Sequence, residues 1–187
     1  MKKNSNETRV LALDLRMQRF GFAVFEGVQH LLEWGVRTYP SADVRELSKT
    51  VAKRISPLFT VFDPSVVIIK RALGSIGPEH SRGATILRTI THEARQHSIA
   101  WSFVEREEIR RTFGVPVRTR KHQIAARVSL CFPELTWKLP PERKCYESEH
   151  PGMAVFDAIS VGLTYLARSE QIHTHDHRSL NLKTPDR

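Results

Sequence analysis

The residues best suited to chemistry fall into acids, histidines and a larger set of bases. Asp14 closes the apolar run Leu11-Ala12-Leu13, so its carboxylate ends a strand. Glu147, Glu149 and His150 crowd the entrance to the last apolar segment, where Pro151 suits the first turn of a helix. His150 stands seven residues before Asp157, on the same helical face but about 10 Å away along the axis. That acidic loop reads as solvated. His173-Thr-His-Asp-His177 has metal-ligand residue types, but with no ordered segment expected beside it, it reads as a chance cluster in a polar tail. The bases carry the clearer signal. Arg16 and Arg19 follow Asp14, Lys70 and Arg71 end a second apolar run, and Arg118, Arg120 and Lys121 precede a helix. Singly, each reads as a solvated charge. As a set, they read as phosphate contacts.

The charge balance agrees. The chain has 187 residues with 29 Lys+Arg against 20 Asp+Glu, a formal net charge of +9. A basic domain points to a polyanionic partner, because each neutralised phosphate releases counterions. Basic tails, or a surface charged only for solubility, would give the same number. Hydrophobic residues are 40% and charged residues 26%, which is globular composition. A chain of this length buries roughly 70% of its unfolded surface and needs no disulfides. Cys131 and Cys145 form neither a disulfide framework nor a metal pattern, and Cys131 reads as a core residue of its helix. No apolar run approaches the ~20 residues of a membrane span, and the basic first ten residues lack the apolar stretch of a signal peptide. The expected compartment is the cytoplasm. Trp34 and Trp101 fall in strands and read as core, whereas Trp137, in a loop before Lys138, is the better candidate for stacking on a base.

The elements that must position these groups follow from periodicity. Residues 9–15, 20–27 and 30–40 read as three strands in quick succession, an antiparallel meander. A helix opens at Ser41, with Val44, Leu47, Val51, Ile55 and Leu58 along one face. Residues 64–70, Pro-Ser-Val-Val-Ile-Ile-Lys, form a strand buried on both faces. A helix over 84–98, a strand over 99–105 and a short helix closed by Gly114 come next. The basic run then leads into a helix with Ile124, Ala125, Val128 and Leu130, and 132–150 reads as loop. The last helix, 153–168, is apolar nearly all round and so central. The fold class is α/β: a mixed five-stranded sheet, its first three strands antiparallel and two added by right-handed crossovers, with helices on both faces. Residues 1–7 and 169–187 are expected to be flexible around one domain, 8–168.

In this order the chain resembles the RNase H-like superfamily, and within it the RuvC family of Holliday-junction resolvases. The residues that carry the resemblance are Leu11-Ala12-Leu13-Asp14, Gly21-Phe22-Ala23-Val24, Pro64 to Ile69, and Arg82-Gly83-Ala84-Thr85-Ile86. They continue with Glu107-Glu108-Ile109 leading to Phe113-Gly114, the Lys121-led helix, and Asp157-Ala158. The resemblance implies a nuclease fold with four ligating positions around two magnesium ions. Asp14 and Asp157 match two of them. Lys70 stands where the family has a glutamate, and Ala154 where it has a ligand three residues before the final aspartate. Asp14-Leu15-Arg16 replaces the family's Asp-Pro-Gly turn. Magnesium prefers oxygen ligands. A unit charge about 4 Å away is worth roughly 4 kcal/mol at an effective dielectric near 20, so an ammonium at position 70 opposes ordinary two-metal binding and pairs with Asp14 or Asp157 instead.

The expectation is a RuvC-like protein that binds branched or duplex DNA, in recombination or repair. Phosphates would meet Arg16, Arg19, Arg71, Arg118, Arg120 and Lys121, and Mg2+ would bind weakly or not at all. The alternatives are an active Mg-dependent structure-specific endonuclease using Asp14, Asp157 and a third ligand, and a protein-interaction scaffold. The resemblance also implies a homodimer. A Lys70 nitrogen within hydrogen-bond distance of both aspartates favours the first reading. A lysine turned away, with a third carboxylate converging, favours the endonuclease.

Overall fold

Strand β1 (Arg9–Leu15) sends alternate side chains into two different cores. Val10 and Ala12 join one buried cluster, Leu11 and Leu13 the other, as the two-residue period of a strand requires. β2 (Arg19–Glu26) and β3 (His30–Thr38) complete an antiparallel meander. β4 (Val66–Lys70) runs parallel to β1, and β5 (Ala100–Val104) parallel to β4. The order β3-β2-β1-β4-β5 is the mixed five-stranded sheet expected from the sequence. The computed structural model describes residues 8–27, 30–39, 43–71, 81–144 and 146–180, with only the backbone at 44, 45 and 171–180.

Two helices cover the Leu11/Leu13 face. α1 (Val44–Phe62) contributes Leu47, Val51 and Ile55, and α2 (Arg82–Gln96) contributes Ile86, Ile90 and Ala94. The opposite face lies under α3 (Arg106–Thr112), α4 (Lys121–Cys131) and α5 (Met153–Leu180). α5 sits closest. A Cβ added to Gly21 would lie 1.9 Å from the Ala154 carbonyl oxygen, and one on Gly162 would lie 2.2 Å from the Phe25 ring. Only glycine allows this helix so near β2, and the approach fixes where α5 presents Asp157.

The strand period also aims the chemistry. Counting on from Val10 and Ala12, Asp14 points to the α5 face, and Val66 and Ile68 place Lys70 on that same face. Both residues end parallel neighbours in the middle of the sheet, so their side chains meet at one end of it.

Several expectations differ from what the fold shows. α5 does not end at 168 but continues to Leu180. Within 132–150, Pro133–Lys138 form a 3-10 helix, whose three-residue period leaves no amphipathic stripe to read. Cys131 is exposed rather than core, and Leu130 is 81% exposed. α4 stops there, and Phe132 and Leu135 fill the core instead. Ser41, Cys145 and the side chains of 173–177 lie outside the described residues. Among the described residues, no helix is long and apolar enough to cross a membrane.

Candidate functional site

The site forms where the ends of β1 and β4 meet the starts of α4 and α5. A tight hairpin carries Arg16: its N–H donates to the Arg19 carbonyl at 2.9 Å. The buried Tyr39 hydroxyl pins this turn by donating to the carbonyls of Arg16 and Arg19, and Arg82 Nε donates to the Met17 carbonyl at 2.6 Å. Held this way, the Arg16 guanidinium points inward. It touches three carboxylates: Nε to Asp14 Oδ2 at 2.6 Å, Nη2 to Asp157 Oδ2 at 2.6 Å, and Nη1 to Glu149 Oε2.

Lys70 bridges the same two aspartates from the other side. Its Nζ lies 2.8 Å from Asp157 Oδ1 and 3.4 Å from Asp14 Oδ1. Lys121, the first residue of α4, adds contacts at 2.9 Å to Glu149 Oε1 and 3.0 Å to Asp157 Oδ2. Three carboxylates (Asp14, Glu149, Asp157) therefore interlock with three cations (Arg16, Lys70, Lys121). Asp14 and Asp157 are 5% and 7% exposed. In so dry a place, the charges are compatible with folding only because each is paired.

No family model and no curated protein matches the sequence. Solved structures do match in shape. Thermus thermophilus RuvC in complex with a Holliday junction substrate aligns with a TM-score of 0.65 at 16% identity, covering 87% of this chain and 96% of that one. The yeast mitochondrial Holliday junction resolvase aligns at 0.63 and 11% identity, covering 95% of this chain and 85% of that one. The fowlpox virus resolvase, solved with Holliday junction DNA, aligns at 0.51 and 14% identity, covering 85% and 99%.

The fold is that of the RuvC resolvases.

On this RuvC-type fold, the two aspartates read from the sequence do converge, bridged by the Lys70 ammonium and by the Arg16 guanidinium. Lys70 lies between them. Ala154 takes no part: it is fully buried, with its carbonyl and Cβ against Gly21. Glu149, read as a solvated loop residue, is the third carboxylate. Its convergence comes with Lys121 and Arg16 rather than with open space. This donor set does not fit a two-magnesium centre. The positions bridging the carboxylates hold an ammonium and a guanidinium, and magnesium would have to displace both. Among the described residues, no group of three or more His, Cys, Asp or Glu is arranged to hold a metal ion.

The electrostatics separate the two aspartates. Burial and the nearby Asp157 charge push the Asp14 carboxyl above its ordinary range, against the pull of Lys70 and Arg16. Burial also acts upward on Asp157, but there Lys70, Lys121 and Arg16 together outweigh it and hold the carboxyl low. Glu149 is likewise held low, with burial overcome by hydrogen bonding and attraction from Lys121 and then by Arg16. Lys70 stays protonated: burial disfavours its charge, but Asp157 and Asp14 more than compensate.

These directions fix a sign. A carboxyl with a depressed folded pKa contributes stability above its unfolded value, and that contribution is lost as pH falls through the folded one. Asp157 and Glu149 behave this way, while the raised Asp14 acts in the opposite sense. The fold should therefore weaken as pH drops below about 4, the unfolded carboxylate range, and Asp157→Asn should flatten that loss. Urea melts from pH 6 downward read both. An Asp157→Asn variant with the wild-type acid slope would show that the cluster is not its source.

Outside the cluster, the remaining bases open to solvent. A cleft of about 340 Å³ lies over Asp14, Arg16 and Lys70 and is walled by Arg71, Arg106 and Lys121. A second, of about 330 Å³, shares Arg106 and Lys121 and extends past Arg120, His122, Pro140 and Arg143. Arg71 is held by Glu105 at 3.0 Å and lies over the Phe103 ring. Arg120 pairs with Glu142 at 3.0 Å across an exposed contact. Arg118 is exposed. Arg19 is half-buried at the start of β2, and Arg16 is committed to the carboxylates. Arg106 was missed in the sequence because it sits in an ordinary mixed-charge helix start, and only the packing of α3 brings it beside Lys121.

Proposed function

We propose that this chain is a RuvC-fold DNA-binding protein that grips branched or duplex DNA by its phosphates and does not cut it by a two-metal mechanism. The observation that carries this reading is the interlocked cluster itself: Arg16 and Lys70 stand between Asp14 and Asp157, beneath a cleft walled by Arg71, Arg106 and Lys121. The solved relatives in shape include two resolvases in complex with Holliday junction DNA, which supports a junction as the ligand. Phosphate contacts on this reading come from Arg71, Arg106, Arg118, Arg120 and Lys121. Arg16 works from below, keeping the carboxylates neutralised so that the cleft does not repel the backbone. A RuvC-like homodimer, two-fold like a four-way junction, goes with the same reading.

One observation favours the endonuclease as a second reading: Glu149 supplies a third carboxylate next to Asp157. The two readings separate in one assay. Labelled four-way junction and duplex are titrated at several salt concentrations, with and without Mg2+ or Mn2+. If about six phosphates are neutralised, log K should fall against log salt with a slope of about −5. Arg106→Ala should shallow that slope by about one. No metal-dependent cleavage is expected. Robust cleavage lost in Asp14→Asn would establish the endonuclease instead. Binding that is absent at low salt, or indifferent to salt, would favour a protein-interaction scaffold.

A further inference from the structure

Two exposed aromatic side chains remain outside the cluster and the cleft. Among the described residues, the large exposed apolar side chains are mostly aliphatic; the aromatic ones are Trp137, 75% exposed, and Tyr146, 80% exposed. Both lie on the segment between α4 and α5. Each carries a lysine over its ring. Lys138 Nζ is 4.7 Å from the Trp137 ring centre and 4.8 Å from that of Trp34, and Lys144 Nζ is 5.9 Å from that of Tyr146. Trp34 packs against the core, so Lys138 is seated between a fixed indole and an exposed one. The chain between these two aromatics includes Pro140, Pro141, Glu142 and Arg143, which line the second cleft beside Arg106 and Lys121.

The geometry points to a subsite for unpaired nucleobases on this segment, with Trp137 as the stacking surface. The inference rests on the DNA-binding reading above and adds a substrate feature to it: single-stranded nucleotides, such as those at a junction's opened centre or at a strand end. Three chemical facts support it. Lys138 covers one face of Trp137 and the indole is still 75% exposed; an apolar face left to water is unfavourable for the free protein and suits a flat partner. A seated ammonium beside it provides the phosphate counter-charge that a nucleotide needs and an apolar peptide does not. The reach also fits, since three residues of chain from Trp137 to Pro140 span at most roughly 10 Å. A strand whose phosphates lie in the cleft is thus within reach of the indole.

The test compares a thymidine oligomer with an oligomer of the same length built from abasic sites, at one salt concentration. Phosphate count is then constant, and only the bases differ. Wild type should bind the thymidine oligomer roughly ten-fold more tightly, the scale of one stacked base. Trp137→Ala should close that gap by weakening the thymidine oligomer alone, and Trp137→Phe should restore most of it. Indole fluorescence should be quenched by the thymidine oligomer in wild type and not in Trp137→Phe, in which Trp34 and Trp101 still report. A gap unchanged in Trp137→Ala, or equal weakening of both oligomers, overturns the stacking subsite. If duplex still binds with its salt slope in that case, the DNA-binding reading stands and only the subsite falls. If neither oligomer nor duplex binds wild type at low salt, both fall, and the exposed aromatics belong to a protein contact.

Discussion

Arg16→Met should destabilise the fold by about 3–5 kcal/mol, the range for removing one member of a buried ion pair. The loss is large because one guanidinium serves three acids: Asp14, Glu149 and Asp157. Without it, three carboxylates face only Lys70 and Lys121, and the excess charge is held beside residues almost closed to water. Methionine keeps much of the length of the side chain, so the change reads mainly charge. The internal comparison is Arg120→Met, which breaks an exposed pair with Glu142 and should cost less than about 1 kcal/mol. Urea melts of the two variants and wild type measure both. If Arg16→Met costs no more than Arg120→Met, the cluster does not hold the structure together in the way described.

The second large effect is a conversion. Arg16→Ala with Lys70→Glu removes both bridging cations and adds an oxygen donor between Asp14 and Asp157. Lys121 is then alone among four acids, and the metal-free protein should be strongly destabilised. Mg2+ or Mn2+ should restore it, by about 2.7 kcal/mol when the free metal stands at a hundred times its dissociation constant. Thermal melts with and without metal, and calorimetric titration, read the effect directly. Wild type should show no such shift. Position 154 offers no route to the same end, because Ala154 is packed against the backbone of Gly21 and an acid there would have to displace β2 or α5. A double variant indifferent to divalent ions, or a wild type stabilised as much as the variant, would remove the argument that cations hold the bridging positions.

The sheet was legible because each strand is a short apolar run with a clear end, and the ends matter most. Asp14 and Lys70 were placed at one site by the resemblance, since β1 and β4 are apolar on both faces and their sequences do not say which face is which; the two cores of the structure put both on the α5 face. Asp157 could be placed beside them only through the resemblance to the RuvC family, because a helix apolar nearly all round has no stripe that aims a single residue. Glu149 was not legible. It belongs to a stretch without period, and nothing in a sequence sets the distance of such a residue from the Arg16 turn 133 residues earlier. Arg16 was assigned to phosphate because a base just after a strand is ordinarily solvated. What turns it inward is the hairpin pinned by Tyr39, a contact between residues far apart in the chain. Cys131 and Leu130 were misplaced for the opposite reason. Both lie within α4, whose buried stripe is Ala125, Val128 and Ser129 and continues to Phe132 just past its end; Leu130, two residues after Val128, falls on the opposite side.

The cluster joins five separate stretches of chain: the end of β1 with its hairpin, the end of β4, the start of α4, the segment at Glu149 and the second turn of α5. Fraying of any one would strand an ion of opposite sign in a place water reaches poorly. Small openings, ordinarily the cheapest motions of a helix end or a strand end, are therefore closed off here one by one. These five stretches should come apart only together, so that this end of the sheet behaves as a single cooperative unit.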